Sequence, residues 1–440
     1  MGNVPSSDVT DRPSRARLMV LAFICSLSFV LYLDRVCIAQ AVTPIEREMD
    51  ISHTRMSVIL MAFTLAYGLF EIPVGHWGDR VGARRVVTRI ALTWSAFTVL
   101  TAACWNFWSL LIVRFLFGAG EAGAYPNVAR VIRRWFPAGQ RGRVQGLFMT
   151  CALLGATFAP VVAAYLIELF GWRWVFVIFG LTGVAWGVAF AAWFRDDPHT
   201  HPAVNAAERA LIGPAADLGS QPASDETGIP WRTIRGNRTL WLLGAIMVLI
   251  SFNSYLYISW YPTYLQDARG VTQLSSGWLS SLVLFAGAAG MLSSGLLADR
   301  ITRHGRDAGK WRRRLGVGAF ALAAVWLFLA SRVDSAELSA ALTALSCLTM
   351  YCPQASWWSS LTEISGRHVG AFFGLANGLG VFGAMACQFL FGAFADWRAA
   401  QGYTGRERWD PIFDVYIGVL LLAAAAWALY RPAATNSSEL

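Results

Sequence analysis

Long apolar stretches separated by short polar segments dominate the pattern of the chain. Runs of about 20 apolar residues, the length that an α-helix needs to cross the hydrocarbon of a bilayer, occur twelve times. They are centred roughly on Phe29, Thr64, Trp94, Phe117, Leu154, Gly183, Val248, Phe285, Ala324, Cys347, Leu379 and Leu421. None alternates with a period of two, as the strands of a membrane barrel do. The pattern predicts an all-α integral membrane protein with twelve transmembrane helices, numbered helix 1 to helix 12 below.

A short basic phrase occurs twice, once after helix 2 and once after helix 8. Residues 75–85 read GHWGDRVGARR and residues 295–306 read GLLADRITRHGR. Asp79 and Asp299 are therefore 220 residues apart, which is half of the 440-residue chain. We infer two six-helix halves related by a parallel repeat, an architecture of transporters in which the substrate site lies near mid-membrane between the halves.

The same pattern divides the chain into five segments. We expect the following: an N-terminal tail (1–16), a six-helix bundle (17–194), a central loop (195–238), a second six-helix bundle (239–430) and a C-terminal tail (431–440). The first apolar run is too long for a cleaved signal peptide and no small-residue cleavage site follows it, so we expect it to remain as helix 1. No segment outside the apolar runs is long enough to form an enzyme domain.

Composition agrees with a membrane protein, and the distribution of charge orients it. Hydrophobic residues make up 56% of the chain and charged residues only 14%, against about 25% charged residues in soluble domains. The net charge of +9 would suit a nucleic-acid partner, but about 26 of the 36 basic residues lie on one side of the predicted topology. This positive-inside pattern places both termini in the cytoplasm and argues against nucleic acid.

The counts of lysine and alanine indicate the source organism, and the positions of the cysteines indicate whether a metal is bound. Lys310 is the only lysine and alanine is abundant, which suggests a GC-rich bacterial genome and hence a bacterial inner membrane. The seven cysteines lie in apolar runs without the spacing of metal ligands, so they are interpreted as packing residues. We predict no metal and no cofactor.

Charged residues inside helices 1 and 4 are singled out, because a charge at membrane depth costs at least ~2.5 kcal/mol and is a functional candidate by default. Helix 1 carries Tyr32, Asp34 and Arg35, and helix 4 carries Arg114 and Glu121. The two helix 4 residues are seven positions apart, which places them on one face, and all four charges lie at similar depth. We predict one cluster facing a central cavity. A static salt-bridge network that only orients helices 1 and 4 is the alternative.

This set of residues fits proton-coupled transport of an anion. Arginine keeps its charge and offers a planar fork that matches a carboxylate. Desolvation favours the protonated form of a buried acid, whereas a neighbouring arginine favours the ionised form. We expect Asp34 to pair with Arg35, so that a substrate carboxylate that binds Arg35 leaves Asp34 free to take a proton.

The second half carries hydroxyl, amide and aromatic side chains in place of charges. Helix 7 reads SFNSYLYISWYPTYL, helix 10 ends CPQASWWSSLTEISG and helix 11 contains GLANGLG. At the 220-residue offset, Asp34 and Arg35 correspond to Ser254 and Tyr255. We infer that this half binds the hydroxyl groups of the substrate, although individual aromatics also suit the membrane interface or helix packing. The predicted contacts are Tyr255, Trp358, Ser359 and Asn377.

The repeated loop is predicted to control opening of the cytoplasmic side. An acid such as Asp79 can accept hydrogen bonds at a helix N-terminus, and salt bridges there would break when that side opens. Topology alone accounts for Arg84 and Arg85, but an acid does not help positive-inside orientation. The predicted gating residues are Asp79, Arg80, Arg84, Asp299 and Arg300.

The doubled G-x-x-x-D-R-x-G-x-R-R loop, the twelve helices and the long central loop resemble the major facilitator superfamily. Within it, three stretches look like the anion:cation symporter family: Tyr32-x-Asp34-Arg35, RFLFGAGEAGAYP from Arg114, and RRWFPAGQRGR at 133–143. The phrase WYPTYL on helix 7 is also similar. That family is related to the animal vesicular and lysosomal anion transporters.

The resemblance implies that the chain imports an organic anion together with protons, notably a sugar acid such as a hexonate, hexarate or hexuronate. It implies that Asp34 and Glu121 are protonation sites with Arg35 and Arg114 as partners. The substrate residues that it implies are Tyr32, Tyr67 and Asn377.

One departure from the family pattern affects the substrate, and two other functions stay open. Sugar-acid members often place an amide on helix 5, where this chain has Thr150 and Cys151; an organic anion is therefore more firmly predicted than a sugar acid. The alternatives are an antiporter or exporter of the same fold and an anion sensor that does not transport. The expected partners are the anion, protons and the lipid bilayer, and we expect a monomer.

Overall fold

The computed structural model describes residues 12–213, 231–302, 308–365 and 368–430, and every regular element in these ranges is helical. The first half consists of helix 1 (Ala16–Val36 and Ile38–Met49), helix 2 (His53–Val81), helix 3 (Ala83–Thr101), helix 4 (Phe107–Glu121 and Ala124–Trp135), helix 5 (Ala138–Phe170) and helix 6 (Trp172–Trp193). The second half consists of helix 7 (Arg238–Tyr255, a π-helical segment Leu256–Trp260, and Tyr261–Asp267), helix 8 (Gln273–Thr302), helix 9 (Ala308–Arg332), helix 10 (Ala336–Tyr351 and Gln354–Ser365), helix 11 (Val369–Ala400) and helix 12 (Ile412–Leu429). Short helices in the connections are Pro198–Thr200, Ala206–Ile212, Trp231–Gly236 and Gly405–Trp409.

The surface of the bundle suits a membrane. Within the described ranges, ten helices are long and apolar enough to cross a bilayer. The other two of the predicted twelve are helix 3, which begins with several arginines, and helix 10, which is interrupted at Pro353. Large apolar side chains point outward, with Leu296, Phe382 and Leu429 exposed to 75%, 67% and 70%. An apolar surface of this extent is covered by lipid rather than water, in agreement with the predicted fold class.

Polar residues determine where several helices begin. At the start of helix 4, Asn106 accepts a hydrogen bond from the Ser109 backbone N–H at 2.9 Å, and Ser109 returns the contact to the backbone of Asn106. At the start of helix 7, Asn237 accepts the Leu240 backbone N–H at 3.0 Å. These side chains satisfy backbone donors that have no partner inside the helix.

The first and fourth helices of each half are interrupted near the middle of the bundle. Helix 1 breaks at Cys37, and helix 7 forms its π-helical segment at Leu256–Trp260, which is the corresponding position at the 220-residue offset. Helix 4 breaks at Gly123, where φ of +84° favours glycine, and helix 10 breaks at Pro353. Interrupted helices are typical of substrate sites in transporters, and the helix 4 break directly follows Glu121.

The halves are joined at one end of the bundle. We call the end where helix 1 begins and helix 12 finishes the terminal end, and the opposite end the distal end. At the distal end, Gln40 of helix 1 accepts hydrogen bonds from Gln273 Nε2 at 2.9 Å and Ser276 Oγ at 3.0 Å. Thr54 of helix 2 donates its backbone N–H at 2.7 Å and its hydroxyl at 2.6 Å to Asp396 of helix 11. These bonds cross between the halves and close the distal end.

A partly buried histidine lies in the same closure. His53 Nδ1 is 2.8 Å from Glu46 Oε1 in its own half, and its Nε2 is 3.8 Å from Asp267 Oδ2 in the other half. The ring packs edge-on against Trp260 and Trp409. The distal closure therefore combines charged, polar and aromatic contacts from both halves.

Replacing Asp396 with alanine should loosen the distal closure. The substitution leaves both part-buried Thr54 donors without their acceptor, at about 1 kcal/mol, the lower end of the cost of an unsatisfied group, so the distally open population should rise roughly fivefold. Hydrogen–deuterium exchange should become faster in peptides covering residues 38–56. Asp414→Ala, which removes an ion pair that is more than half exposed on both sides, is the control. Equal exchange in the two variants would show that the Thr54–Asp396 contact does not hold the closure.

Candidate functional site

A cavity of about 270 Å³ lies between the halves at the level of the helix breaks. Its polar wall residues include Tyr32, Arg35, Arg114, Tyr255, Gln354 and Gln388. A neighbouring cavity of about 470 Å³ shares Tyr32 and Trp358 with it and continues between helices 5 and 8, past Met149 and Leu292. Since helix 5 begins and helix 8 ends at the terminal end, the cavities extend toward that end while the distal end is closed.

Arg35 and Glu121 form the central ion pair of the site. Arg35 Nε donates to Glu121 Oε1 at 2.9 Å, and its Nη2 contacts the same oxygen. The guanidinium lies 4.6 Å from the ring centroid of Tyr67 and 5.1 Å from that of Tyr32. The Arg35 side chain is 12% exposed and that of Glu121 only 1%. A ligand in the cavity therefore reaches Arg35, with Glu121 behind it.

The expected pairing of Asp34 with Arg35 is wrong. Asp34 is buried, and its Oδ2 accepts a hydrogen bond from Trp94 Nε1 of helix 3 at 2.9 Å. Successive residues on a helix point about 100° apart, so the two side chains diverge and Arg35 reaches helix 4 instead. The second oxygen of Asp34 has no hydrogen-bond partner among the described residues.

Arg114 does not pair with Glu121, although the family resemblance implied that partnership. Seven residues correspond to about 10 Å along a helix axis, which is too far for contact. Arg114 is 1% exposed and lies between the rings of Phe63 and Phe117, 5.4 and 4.4 Å from their centroids. Within the described part of the chain its Nε and Nη1 have no hydrogen-bond partner. A cavity-lining cation with free donors is suited to receive part of an anion.

In the second half, Tyr255 and Trp358 line the cavity as predicted. Trp358 stacks on Phe373 at 5.0 Å between ring centroids. Ser254 also lines the cavity, but its hydroxyl accepts from Tyr351 Oη at 2.9 Å and donates to its own helix. Its hydrogen bonds are therefore largely used within the protein.

Three predicted substrate residues are not part of the cavity wall. Tyr67 lies behind Arg35 and supports the guanidinium with its ring. Ser359 donates to the Ala355 carbonyl of its own helix at 2.9 Å, and Asn377 is exposed outside the wall. The positions of Ser359 and Asn377 depend on how helices 10 and 11 are rotated about their axes. The apolar pattern does not determine this rotation.

Sequence reasoning missed Gln354 of helix 10, which lines the cavity, and two isolated polar residues of helices 11 and 2. Gln388 of helix 11 accepts from the Thr64 hydroxyl of helix 2 at 2.9 Å and donates to Ser259 of helix 7 at 3.3 Å, so it joins the two halves beside the cavity. Glu71 of helix 2 accepts from Tyr67 Oη at 3.3 Å. In both cases the available signal was one polar residue in an apolar run, the criterion already applied to helices 1 and 4.

The predicted gating residues lie near the terminal end. The Arg84 backbone N–H donates to Asp196 Oδ1 at 2.9 Å and its Nε to the Ala191 carbonyl at 3.1 Å, which ties helix 3 to the end of helix 6. Exposed positions of this set are Arg80, Asp299 and Arg300. The side chain of Asp79 lies outside the described residues. Their role in gating stays a prediction.

Comparison with known proteins gives concordant matches. Residues 24–387 match the family model of the Major Facilitator Superfamily. The chain is 31% identical over 382 residues to a probable sulfoacetate transporter of Cupriavidus necator, covering 86% of this chain and 87% of that one. It is 27% identical over 362 residues to a probable L-galactonate transporter of Escherichia coli K12, covering 81% and 78%. A solved bacterial homologue of the human lysosomal transporter Spinster, inward-facing and unoccupied, shares the fold with a TM-score of 0.80 at 19% identity, over 97% of both chains.

Proposed function

The chain belongs to the major facilitator superfamily, and from this premise we propose that it imports an organic anion together with protons by alternating access. Its relatives are transporters of organic anions, so it is a multi-pass organic-anion transporter and not an enzyme. Coupling to protons, the direction of transport and the class of anion are the parts that we propose.

The observation that carries the proposal is the Arg35–Glu121 pair in the cavity wall. Arg35 faces the cavity, whereas Glu121 is buried and holds the other side of the guanidinium. An anion that binds Arg35 competes with Glu121 for the same donors. A buried carboxylate that loses its cation is desolvated and uncompensated, so it takes up a proton. Binding of the anion and binding of the proton then favour each other.

Release at the other side reverses these steps. When the anion leaves Arg35, the guanidinium returns to Glu121 and its charge favours loss of the proton. Asp34 is the second proposed protonation site, because it is buried with one oxygen hydrogen-bonded to Trp94 and the other without a partner among the described residues. Arg114 adds a second positive charge that holds the anion in the cavity.

We propose a sugar acid as the substrate class. The cavity offers the Arg35 and Arg114 cations to the acid group. On the opposite wall, Tyr255 and Gln354, whose Oε1 has no hydrogen-bond partner among the described residues, offer hydrogen bonds to hydroxyl groups. The galactonate relative supports this class. Because another relative is a probable sulfoacetate transporter, a sulfonate is tested beside the carboxylates.

The orientation that we propose places the terminal end in the cytoplasm of a bacterium, since the basic loops lie on that side. The distal closure then faces outward, and the described conformation opens toward the cytoplasm. We propose that the protein works as a monomer, because one chain supplies both halves of the cavity.

Uptake into proteoliposomes driven by a pH gradient tests this function. The panel consists of sulfoacetate, L-galactonate, glucarate, glucuronate, succinate and benzoate, with an acidic exterior and an internal pH dye. We expect at least one sugar acid to accumulate while the interior acidifies. Accumulation of an anion without any dependence on the pH gradient would refute proton coupling. Binding without transport would favour the sensor alternative.

A further inference from the structure

A third acid lies beside the central ion pair and has no role in the steps above. Glu71 is one turn beyond Tyr67 on helix 2, which is about 6 Å closer to the terminal end. Phe63, Tyr67 and Glu71 follow one another at intervals of four and share one helix face, and the first two contact the Arg35 guanidinium. Glu71 therefore lies on the terminal side of the Arg35–Glu121 pair.

The surroundings of Glu71 connect it to that pair. Its Oε1 accepts the Tyr67 hydroxyl at 3.3 Å, and among the described residues it forms no ion pair within 4 Å. It is close enough to Arg35 and to Glu121 for electrostatic interaction. The other titratable groups facing this region are Tyr32 of helix 1 and Tyr125 of helix 4. Helix 11 contributes an apolar contact, Val381 against Gly68.

The Glu71 carboxylate is a candidate for a functional role, because an acid at membrane depth costs free energy. In the described part of the chain Glu71 has no arginine of its own within ion-pair distance, and the fork of Arg35 is held by Glu121. It is partly exposed, whereas Glu121 is 1% exposed. The more accessible of the two acids is thus the one nearer the terminal end. Tyr67 connects the two sites, because its hydroxyl contacts Glu71 and its ring lies 4.6 Å from the guanidinium that holds Glu121.

We propose that Glu71 accepts the coupling proton that Glu121 releases and passes it toward the terminal end, with the Tyr67 hydroxyl as the intermediate. This inference rests on the proton coupling proposed above. The Tyr67 hydroxyl proton moves to the Glu71 carboxylate, and the tyrosine oxygen takes up the proton that leaves Glu121. One proton is transferred and Tyr67 ends neutral. A hydroxyl can serve as donor and acceptor in this way.

The test compares net uptake with counterflow in proteoliposomes, for whichever of L-galactonate, glucarate or sulfoacetate gives the largest wild-type uptake. Net uptake requires release of a proton in every cycle, whereas exchange of labelled for unlabelled anion at equal concentrations does not. Glu71→Gln should lower the initial rate of pH-driven uptake by roughly tenfold or more, because the coupling proton then leaves without its acceptor. Counterflow should stay at the wild-type level. Tyr67→Phe keeps the ring under Arg35 and should show the same selective defect.

The controls distinguish a proton relay from a structural role. Glu168→Gln removes an exposed acid at the end of helix 5 and should leave both rates unchanged. If Glu71→Gln and Tyr67→Phe lower uptake and counterflow equally, the two residues only support Arg35 and the relay is refuted; a normal rate of uptake in both variants refutes it as well. If the wild type shows no pH-driven uptake, the proposed proton coupling itself fails. This outcome is distinguishable from the two results that refute only the relay.

Discussion

Replacing Arg35 with lysine should weaken binding of the anion by roughly 10- to 100-fold. The guanidinium holds Glu121 with one edge while its face packs on Tyr67 and Tyr32. A lysine ammonium is a point charge that cannot hold two oxygens of the same acid group in one plane, and it cannot stack on the rings. Charge-assisted hydrogen bonds of this kind are worth about 1.5–3 kcal/mol, which corresponds to the stated loss because 1.4 kcal/mol is a factor of ten.

Isothermal titration of the purified protein with L-galactonate and with sulfoacetate measures this loss. Arg55→Lys is the matched control, because Arg55 is an exposed arginine of helix 2 that lies over the ring of Phe107. Its dissociation constant should equal that of the wild type. An unchanged dissociation constant in Arg35→Lys would remove Arg35 from the substrate site and leave Arg114 as the anion-binding residue.

Glu121→Gln should abolish accumulation driven by a pH gradient while exchange of the anion persists. Glutamine keeps the size of the side chain and its hydrogen bond to Arg35, but it cannot gain or lose the coupling proton. In the wild type, a gradient of about one pH unit supports roughly tenfold accumulation for each coupled proton, because 1.4 kcal/mol corresponds to a factor of ten. In the variant, the internal concentration should stop rising at the external value.

This variant also distinguishes a coupling site from a static salt bridge. If the Arg35–Glu121 pair only orients helices 1 and 4, the substitution should lower stability and slow uptake and counterflow together, with the final accumulation unchanged. Accumulation to the wild-type level would contradict the role of Glu121. Asp34→Asn, assayed in the same way, then shows whether the second acid carries a proton of its own.

The depth of the charged residues was predictable from the sequence, but their pairing was not. Arg35 and Glu121 lie at matching depth on helices that run in opposite directions, and the structure brings them together as one cluster. Depth follows from counting residues along an apolar run at 1.5 Å per residue. Pairing depends on the direction in which each side chain leaves its helix, and Asp34 turns toward Trp94 although it is adjacent to Arg35.

The polar wall of the second half was predicted less well for the same reason. Trp358 lines the cavity whereas its neighbour Ser359 does not, and on helix 11 Gln388 takes the place expected for Asn377. Helix 10 carries polar residues on several sides, such as Ser356, Ser359 and Thr362, and Gln388 is an isolated polar residue of helix 11, so the sequence contains no single polar stripe that marks the inward face. Helix rotation then depends on packing, such as the close approach of Gly383 to the backbone of helix 7.

The interruptions of the helices follow partly from sequence. Gly123 after Glu121 and Pro353 in helix 10 are residues that commonly end a helix, and both mark breaks. The π-helical segment Leu256–Trp260 is followed by Pro262, which cannot donate to the Ile258 carbonyl four residues earlier and whose ring clashes with it. The break at Cys37 has no glycine or proline beside it. The local sequence therefore accounts for three of the four interruptions and leaves the break at Cys37, at the matching position of the repeat, without a local cause.

The measurement that tests the central claim most directly is proton movement driven by an anion gradient alone. Proteoliposomes with equal pH on both sides and an internal pH dye receive the panel anion with the largest uptake on the outside only. We expect the interior of wild-type vesicles to acidify as the anion enters, and vesicles with Glu121→Gln to show no change in pH. Uptake of the anion by the wild type at constant internal pH would contradict proton coupling through the Arg35–Glu121 pair.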